Sequence, residues 1–242
     1  MIFLAMETST ALGGVALGSD KKILGTKYSL NQRSHSEFLH PAIMNLLKDH
    51  AVSLSSVSGF ICGVGPGSFT GIRITVGAAK TFGAFLNKPL IPVSTLEALA
   101  YSVRGLEPAR VLCLINAYKN MVYYGFFETS FAEIKELQPV GAVHVRDLHQ
   151  VIDLSKNFWI VGDGFSVYRD FLPKEILSKA RRPCAESLSE TFDRPLAENI
   201  LQLGVDQARK GQTKDWTSIL PLYIRNSEAE EQKQGIVLKP LF

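Results

Sequence analysis

Hydrophobic and polar positions divide the chain into short apolar runs and amphipathic segments, which predict an alternating α/β protein. Strands are predicted for the runs IFLAM, GGVALGS and KILGTKYSL, with turn signals at Gly13-Gly14 and over 19–22. Helical periodicity predicts helices near 35–48, near 71–86 and from about 95, with the strands SGFICGVG and PLIPVS between them. Three antiparallel strands followed by a β-α-β-α series predict a mixed sheet covered by helices.

The alternation starts again after RGLEPAR, a polar break at 104–110. The runs RVLCLINA, MVYYGFFET, GAVHV and NFWIVGDGF predict further strands, the last with a turn at Asp163, and a helix is predicted near 195–210. We therefore expect two related α/β lobes. The N-terminal lobe is residues 1–104, joined by the helix at 195–211, and the C-terminal lobe is residues 105–242.

Composition and charge narrow the class of protein. The 242 residues are 46% hydrophobic and 20% charged with a net charge of +3, which is ordinary for a globular protein and gives no strong electrostatic signal for nucleic acid or membrane. Cys62, Cys113 and Cys184 form no CxxC pair, so neither a disulfide framework nor a zinc ribbon is indicated. Because no apolar run reaches the length of a membrane span or has signal-peptide flanks, we expect a cytoplasmic protein.

A glycine-rich loop opens the helix near 71–86, in the stretch GVGPGSFTGIRITVGAAK at 63–80. Its glycines permit close backbone approach, and a helix N-terminus is suited to anions. Neither a P-loop nor a dinucleotide fingerprint is present, because Ile72-Arg73 replace Lys-Ser/Thr and the spacing is G-x-G-x-x-x-G. The loop is therefore either an anion site or a tight strand-to-helix turn. The candidate anion residues are Glu7, Thr8, Ser9, Gly65, Gly67, Ser68, Thr70 and Gly71.

The helices near 35–48 and 71–86 carry wider apolar arcs than one contact requires. Ser34 and Glu37 have capping-box spacing at the start of the first helix, and Met44 projects from its polar side. The pattern indicates a surface covered by a second polypeptide, with a tightly packed intramolecular helix pair as the alternative. The candidate interface residues are His35, Phe38, Leu39, Ala42, Ile43, Met44, Leu46, Leu47, Ile72, Arg73, Thr75, Val76, Ala79, Lys80, Phe82 and Gly83.

No set of residues completes a catalytic mechanism. A kinase of this architecture needs an acid at the first strand end and a second carboxylate as base, but beside Glu7 the chain offers only the amide of Asn116. His35 and His40 diverge on a helix, and His144 and His149 are expected at the surface, so no metal site is predicted. HExxH and GxSxG motifs are absent from the sequence, which leaves a peptidase without support.

The stretch GVGPGSFTGIRITVG resembles the signature of the TsaB (YeaZ) family. The segments METST, RSHSEFLHPAI, VSTLEALA, INAYKNMVYYGFF and PLYIRN agree with it in order over most of the chain. The resemblance implies a two-lobed ASKHA fold (actin, sugar kinase and Hsp70-like) with mixed sheets flanked by helices. It also implies a non-catalytic subunit of the machinery that makes threonylcarbamoyladenosine (t6A) at position 37 of tRNA.

The resemblance further implies the partners. A TsaD-like transferase subunit binds through the first two helices, a TsaE-like ATPase joins the pair, and the unpaired chain forms a homodimer. The resemblance also implies that the chain contacts tRNA only through the complex and that no membrane is involved. This subunit needs no cofactor of its own, since ATP or ADP and a divalent metal belong to the complex.

Two positions depart from the family pattern. Glu7 stands where Asp is usual, and Asn116-Ala117-Tyr118 replaces D-A-R. Both changes remove groups that hold a nucleotide or metal, which argues against independent catalysis. The alternatives are a small-molecule kinase or ATPase of the ASKHA class, or a peptidase.

Overall fold

The structure is a computed structural model that describes residues 1–30, 34–183 and 191–225. By internal packing the chain forms two units. Unit 1 comprises Met1–Ala98 and Pro195–Leu222, and unit 2 runs from Leu99 to Arg194 and resumes at Tyr223. Residues 99–104, which were expected in the first lobe, lie in unit 2, whereas the helix predicted near 195–210 lies in unit 1. Cys184 and the polar tail beyond residue 225 lie outside the described residues.

Unit 1 contains the mixed sheet that the apolar runs predict. Its strands, numbered in chain order, are β1 (Ile2–Glu7), β2 (Gly13–Ser19), β3 (Ile23–Ser29), β4 (Gly59–Gly63) and β5 (Leu90–Val93). The strand order is β3-β2-β1-β4-β5. The β1–β2 and β2–β3 pairs are antiparallel, and the β1–β4 and β4–β5 pairs are parallel, as predicted.

Helices cover both faces of this sheet because its central strands are apolar on both sides. The helices of unit 1 are α1 (His35–Asp49), α2 (Phe69–Leu86), the start of α3 (Thr95–Tyr101), and α6 (Ala197–Arg209). Leu4 and Met6 of β1 pack in one core with α1 and α2, whereas Phe3 and Ala5 pack in a second core with α6. Successive residues of β1 thus serve opposite faces, as the pleat of a strand requires.

Unit 2 repeats the arrangement around a second mixed sheet. Its strands are β6 (Arg110–Asn116), β7 (Met121–Thr129), β8 (Ile134–His144), β9 (Phe158–Val161) and β10 (Ala180–Arg181), in the order β10-β9-β6-β7-β8. Unit 2 also contains the rest of α3 and two short helices, α4 (Asp163–Tyr168) and α5 (Lys174–Lys179). Its core includes Phe126 and Phe158, whose rings meet edge to face at 5.5 Å.

Several local predictions were wrong. Asp163 begins α4 instead of forming a turn, because Gly162 with φ of 97° makes the turn before it. Ser34 precedes α1 as expected, but its side chain makes no capping hydrogen bond. His144 is buried, with 9% of its surface exposed, and its Nδ1 accepts from the Arg146 backbone N–H at 3.3 Å.

Candidate functional site

The glycine loop joins β4 to α2 and lies against the end of β1. Ser68 is the N-cap of α2, and its Oγ accepts from the Gly71 N–H at 3.3 Å. The Ser68 N–H donates to the Ser9 carbonyl at 2.6 Å, and the Gly65 carbonyl accepts from the Thr95 N–H at 2.9 Å. Gly65 has a φ of 100°, which side-chain-bearing residues rarely adopt.

The glycines of the loop make room for this chain's own backbone. A Cβ at Gly71 would overlap the Thr8 carbonyl oxygen, and a Cβ at Gly67 would overlap the Ser9 carbonyl oxygen. The residues that follow β1 therefore lie where a bound anion would need to approach these glycines. Of the two interpretations left open by the sequence, this packing favours the tight turn.

The polar residues at the end of β1 are also satisfied within unit 1. Glu7 is fully buried, and its carboxylate accepts from the Ser9 N–H at 2.5 Å and from the Thr95 hydroxyl at 3.2 Å. The Thr8 hydroxyl donates to the Gly71 carbonyl at 2.7 Å, and the Ser9 hydroxyl lies 3.0 Å from that of Thr95. Burial raises the pKa of Glu7, although these hydrogen bonds oppose the shift.

Replacing Glu7 by glutamine tests this buried carboxyl group. Because the pKa of Glu7 is raised above its ordinary value of 4.5, the folded state binds the proton more tightly than the unfolded chain. The free energy of unfolding of wild type, relative to that of Glu7→Gln, should be greatest below pH 4.5. It should fall as the pH rises from there through the raised pKa of Glu7. Urea unfolding of both proteins across this range measures the difference, and a flat difference would contradict the assignment.

A second polar cluster lies in unit 2 at the carboxyl ends of the parallel strands β6 and β9. The Asn116 N–H donates to the Asp163 carboxylate at 2.9 Å, and burial raises the pKa of Asp163. The Asn116 side-chain oxygen accepts from the Tyr118 N–H at 2.8 Å and from the Tyr168 hydroxyl at 3.1 Å. This oxygen thus holds a hairpin in which Tyr118, Lys119 and Asn120 all have positive φ, between 51° and 64°.

The sequence pattern did not indicate this cluster, because its members are separated by up to 52 residues. The available signal was that Asn116 and Asp163 each follow an apolar run, and parallel strands bring such ends together.

The candidate interface residues are mostly buried within unit 1. Eleven of the sixteen are buried: His35, Leu39, Ala42, Ile43, Leu46, Leu47, Ile72, Thr75, Val76, Ala79 and Gly83. Phe38, Lys80 and Phe82 are half-buried, and Met44 and Arg73 are exposed.

The premise that another chain must cover both apolar arcs was therefore wrong, because this chain buries most of both arcs itself. Besides the sheet, the segment 213–222 contributes to covering α2. Its Ile219 is fully buried in the same core, and its Leu222 N–H donates to the Val64 carbonyl at 2.8 Å.

From the exposed residues of α1 and α2 we define a narrower surface, the α1–α2 face, by His40, Met44, Gly77, Thr81 and Phe85. Met44 is 61% exposed, as predicted, and Phe85 is 88% exposed. The two helices meet where the His40 and Phe82 rings pack edge to face at 6.0 Å. A Cβ at Gly77 would have no neighbour within 4 Å, so the packing of unit 1 does not require glycine there.

Within residues 1–30, 34–183 and 191–225, no group of three or more His, Cys, Asp or Glu side chains could hold a metal ion. Among the helices in the same ranges, none combines the length and apolar character needed to span a membrane.

The two helix-flanked mixed sheets and the glycine turn between β4 and α2 define an α/β protein of the ASKHA type. A family model described as TsaD, tRNA N6-adenosine threonylcarbamoyltransferase, matches residues 21–233. The chain belongs to the family of this model and, within it, to the TsaB (YeaZ) proteins. The prediction made from the glycine signature is thereby confirmed.

Two curated relatives cover nearly the whole chain. The Haemophilus influenzae tRNA threonylcarbamoyladenosine biosynthesis protein TsaB is 30% identical over 97% of this chain and 98% of its own. The Escherichia coli protein of the same name is 29% identical over 97% and 99%, respectively. The solved structure of YeaZ from Pseudomonas aeruginosa superposes with a TM-score of 0.78 at 27% identity, covering 92% of this chain and 99% of that one.

Proposed function

We propose that this chain is a non-catalytic subunit in the biosynthesis of t6A at position 37 of tRNA. In this role it binds and activates a TsaD-like transferase subunit and helps to recruit a TsaE-like ATPase. The full-length similarity to proteins named for t6A biosynthesis carries the proposal. When no TsaD-like subunit is bound, the chain forms a homodimer through the surface that would otherwise bind that subunit.

The α1–α2 face is the proposed partner surface. A glycine inside a helix costs about 1 kcal/mol relative to alanine. Gly77 bears that cost without any benefit to unit 1, since nothing lies near the position of its Cβ. A glycine on an exposed helix lets a second helix approach closely, and Met44 of α1 and Phe85 of α2 supply exposed apolar area on the two helices.

The polar groups of the chain support a structural role over a catalytic one. Glu7 and Asn116, which stand where an ASKHA kinase needs its acids, are engaged in holding a turn and a hairpin. The Ser68 hydroxyl caps a helix, so a peptidase nucleophile there would lose that cap. We propose that the subunit works without its own cofactor, and phosphate release from ATP by the isolated chain would favour the kinase alternative instead.

Co-purification with a TsaD-like protein tests the partner surface. Met44→Glu places a charge on the α1–α2 face without disturbing the core, because this side chain is exposed. We expect it to weaken capture about tenfold, since an unpaired charge would be buried in the interface. A variant at Ala79 is unsuitable here, because this residue is fully buried in unit 1 and its loss would report on folding.

Val167→Glu is the matched control, because Val167 is 49% exposed on α4 of unit 2. It should leave capture unchanged. Equal capture by wild type and Met44→Glu would reject the α1–α2 face as the partner surface, while failure of wild type to capture the TsaD-like protein would reject the function itself.

A further inference from the structure

A small cleft with positive charge lies in unit 1 where α2 ends and β5 begins. Its volume is about 220 Å³. One wall is the turn after α2, with Gly83, Asn87, Lys88 and Pro89, and the other is the segment 213–216. No part of the cleft belongs to the α1–α2 face as defined above.

The backbone that carries the two lysines of the cleft is fixed. Lys214 and Leu90 exchange two backbone hydrogen bonds of 2.8 Å each, so segment 213–216 is attached to the first residue of β5. The Lys88 N–H donates to the Gly83 carbonyl at 3.1 Å, next to the left-handed C-cap residue Asn87. Both lysine side chains therefore start from rigid positions within two residues of one antiparallel bridge. Neither forms an ion pair with any residue in the part of the chain that the structure describes.

An aromatic side chain completes the cleft. Trp216 is 49% exposed. The neighbouring Asp215 carboxylate accepts from the Thr217 N–H at 2.7 Å and from the Ser218 N–H at 3.0 Å, which holds the turn that presents the indole. The hydrogen bond from the Thr217 hydroxyl, together with these two from backbone N–H groups, lowers the pKa of Asp215. The Asp215 carboxylate therefore stays charged, and the cleft carries two cations against one anion.

We propose that this cleft binds a single-stranded segment of tRNA, with phosphates at Lys88 and Lys214 and a base stacked on Trp216. Lysines bind backbone phosphates by charge, and aromatic side chains stack on any unpaired base. An acidic peptide would use the lysines but would leave the indole without a stacking partner. The inference rests on the proposed function for the identity of the nucleic acid, and it departs from the expectation that this chain meets tRNA only through the complex.

Fluorescence of Trp216 tests the stacking. The chain contains two tryptophans, so Trp159→Phe leaves Trp216 as the sole indole. Titration with a tRNA transcript should quench its emission, and Trp216→Ala in the otherwise wild-type chain should weaken binding about fivefold or more. Heparin, a polyanion without bases, should bind without quenching. Quenching by heparin equal to that by tRNA, or no quenching by tRNA, would overturn the proposal.

The salt dependence of tRNA affinity tests the lysines without relying on tryptophan fluorescence or on the Trp159→Phe substitution. Lys88→Gln combined with Lys214→Gln should reduce the slope of log K against log salt by about 1.4, since each phosphate contact to a single strand contributes about 0.7. Lys156→Gln combined with Lys174→Gln removes the same charge from exposed positions of unit 2 and should leave the slope unchanged. If the slope fell equally in both double variants, the loss of overall charge would explain the effect, and the cleft would be rejected as the tRNA site.

Co-purification of the same variants with the TsaD-like protein separates this inference from the proposed function. Normal capture with an unchanged tRNA slope rejects only the cleft as an RNA site. Wild type that fails to capture the partner rejects the proposed function, whatever the affinity for tRNA.

Discussion

Gly71→Ala is expected to destabilise unit 1 by about 4 kcal/mol or more, at the upper end of single-substitution effects. The added Cβ would overlap the Thr8 carbonyl, which is backbone and has no other rotamer to adopt. To relieve the overlap, the turn after β1 must move away from α2. The move would break the hydrogen bond from the Thr8 hydroxyl to the Gly71 carbonyl and the 2.5 Å contact between the Thr8 and Thr75 hydroxyls, all in a buried region.

The same helix provides the control for this experiment. Gly77 lies about 1.7 turns further along α2, and a Cβ there meets nothing within 4 Å. Gly77→Ala should therefore stabilise the isolated chain by about 1 kcal/mol, because alanine is the better helix former. Urea unfolding of the two variants should shift the midpoint in opposite directions. If Gly71→Ala unfolds with the wild-type midpoint, the loop does not pack against Thr8 as described.

The glycine loop shows which part of the candidate site the sequence could predict. The glycines of GVGPGSFTGIRITVG correctly indicated close backbone approach after a strand and before a helix. What approaches them could not be read from the sequence, because Thr8 is 63 residues from Gly71. An anion and a second backbone segment make the same demand on glycine, and only the packing of β1 against α2 distinguishes them.

The two helices of the predicted interface illustrate a different limit. Periodicity correctly placed α1 and α2 and correctly marked Met44 as exposed. It could not tell how much of each apolar arc the chain itself covers, since Ile219, more than a hundred residues after both helices, contributes to that core. In the sequence Gly77 does not differ from the other small residues of α2, and its open surroundings appear only in the structure.

Strands with strong apolar runs were predicted well, and elements with weak patterns were not. β1, β2, β4, β6 and β7 are nearly all buried or half-buried, and their runs stand out in the sequence. β8 begins at Ile134, before the predicted GAVHV, because its first half is a polar edge strand that includes Lys135, Glu136 and Pro139. α4 and α5 have six residues each, too few for helical periodicity to be recognised.

Gly77→Leu is expected to weaken the proposed binding of a TsaD-like subunit about a hundredfold while leaving the unpaired chain, diluted until the proposed homodimer dissociates, at least as stable as wild type. The leucine side chain enters open space in the free chain, and leucine is a far better helix former than glycine. In the complex the same side chain would occupy the space through which a partner helix approaches α2. Overpacking of that kind costs about 1–3 kcal/mol, and the upper part of this range corresponds to a hundredfold change in affinity.

Gly77→Leu is expected to raise the stability of the chain and to lower its affinity for the TsaD-like subunit. These opposite effects make it more informative than a charge substitution. A variant that folds more stably and binds less tightly cannot owe its binding defect to unfolding. Calorimetric titration with the TsaD-like subunit gives the affinity, and urea unfolding gives the stability. Lys174→Leu, on an exposed helix position of unit 2, controls for the added apolar surface and should bind normally. Wild-type affinity in Gly77→Leu would mean that no helix packs closely on this face, and the partner would then have to bind elsewhere on the chain.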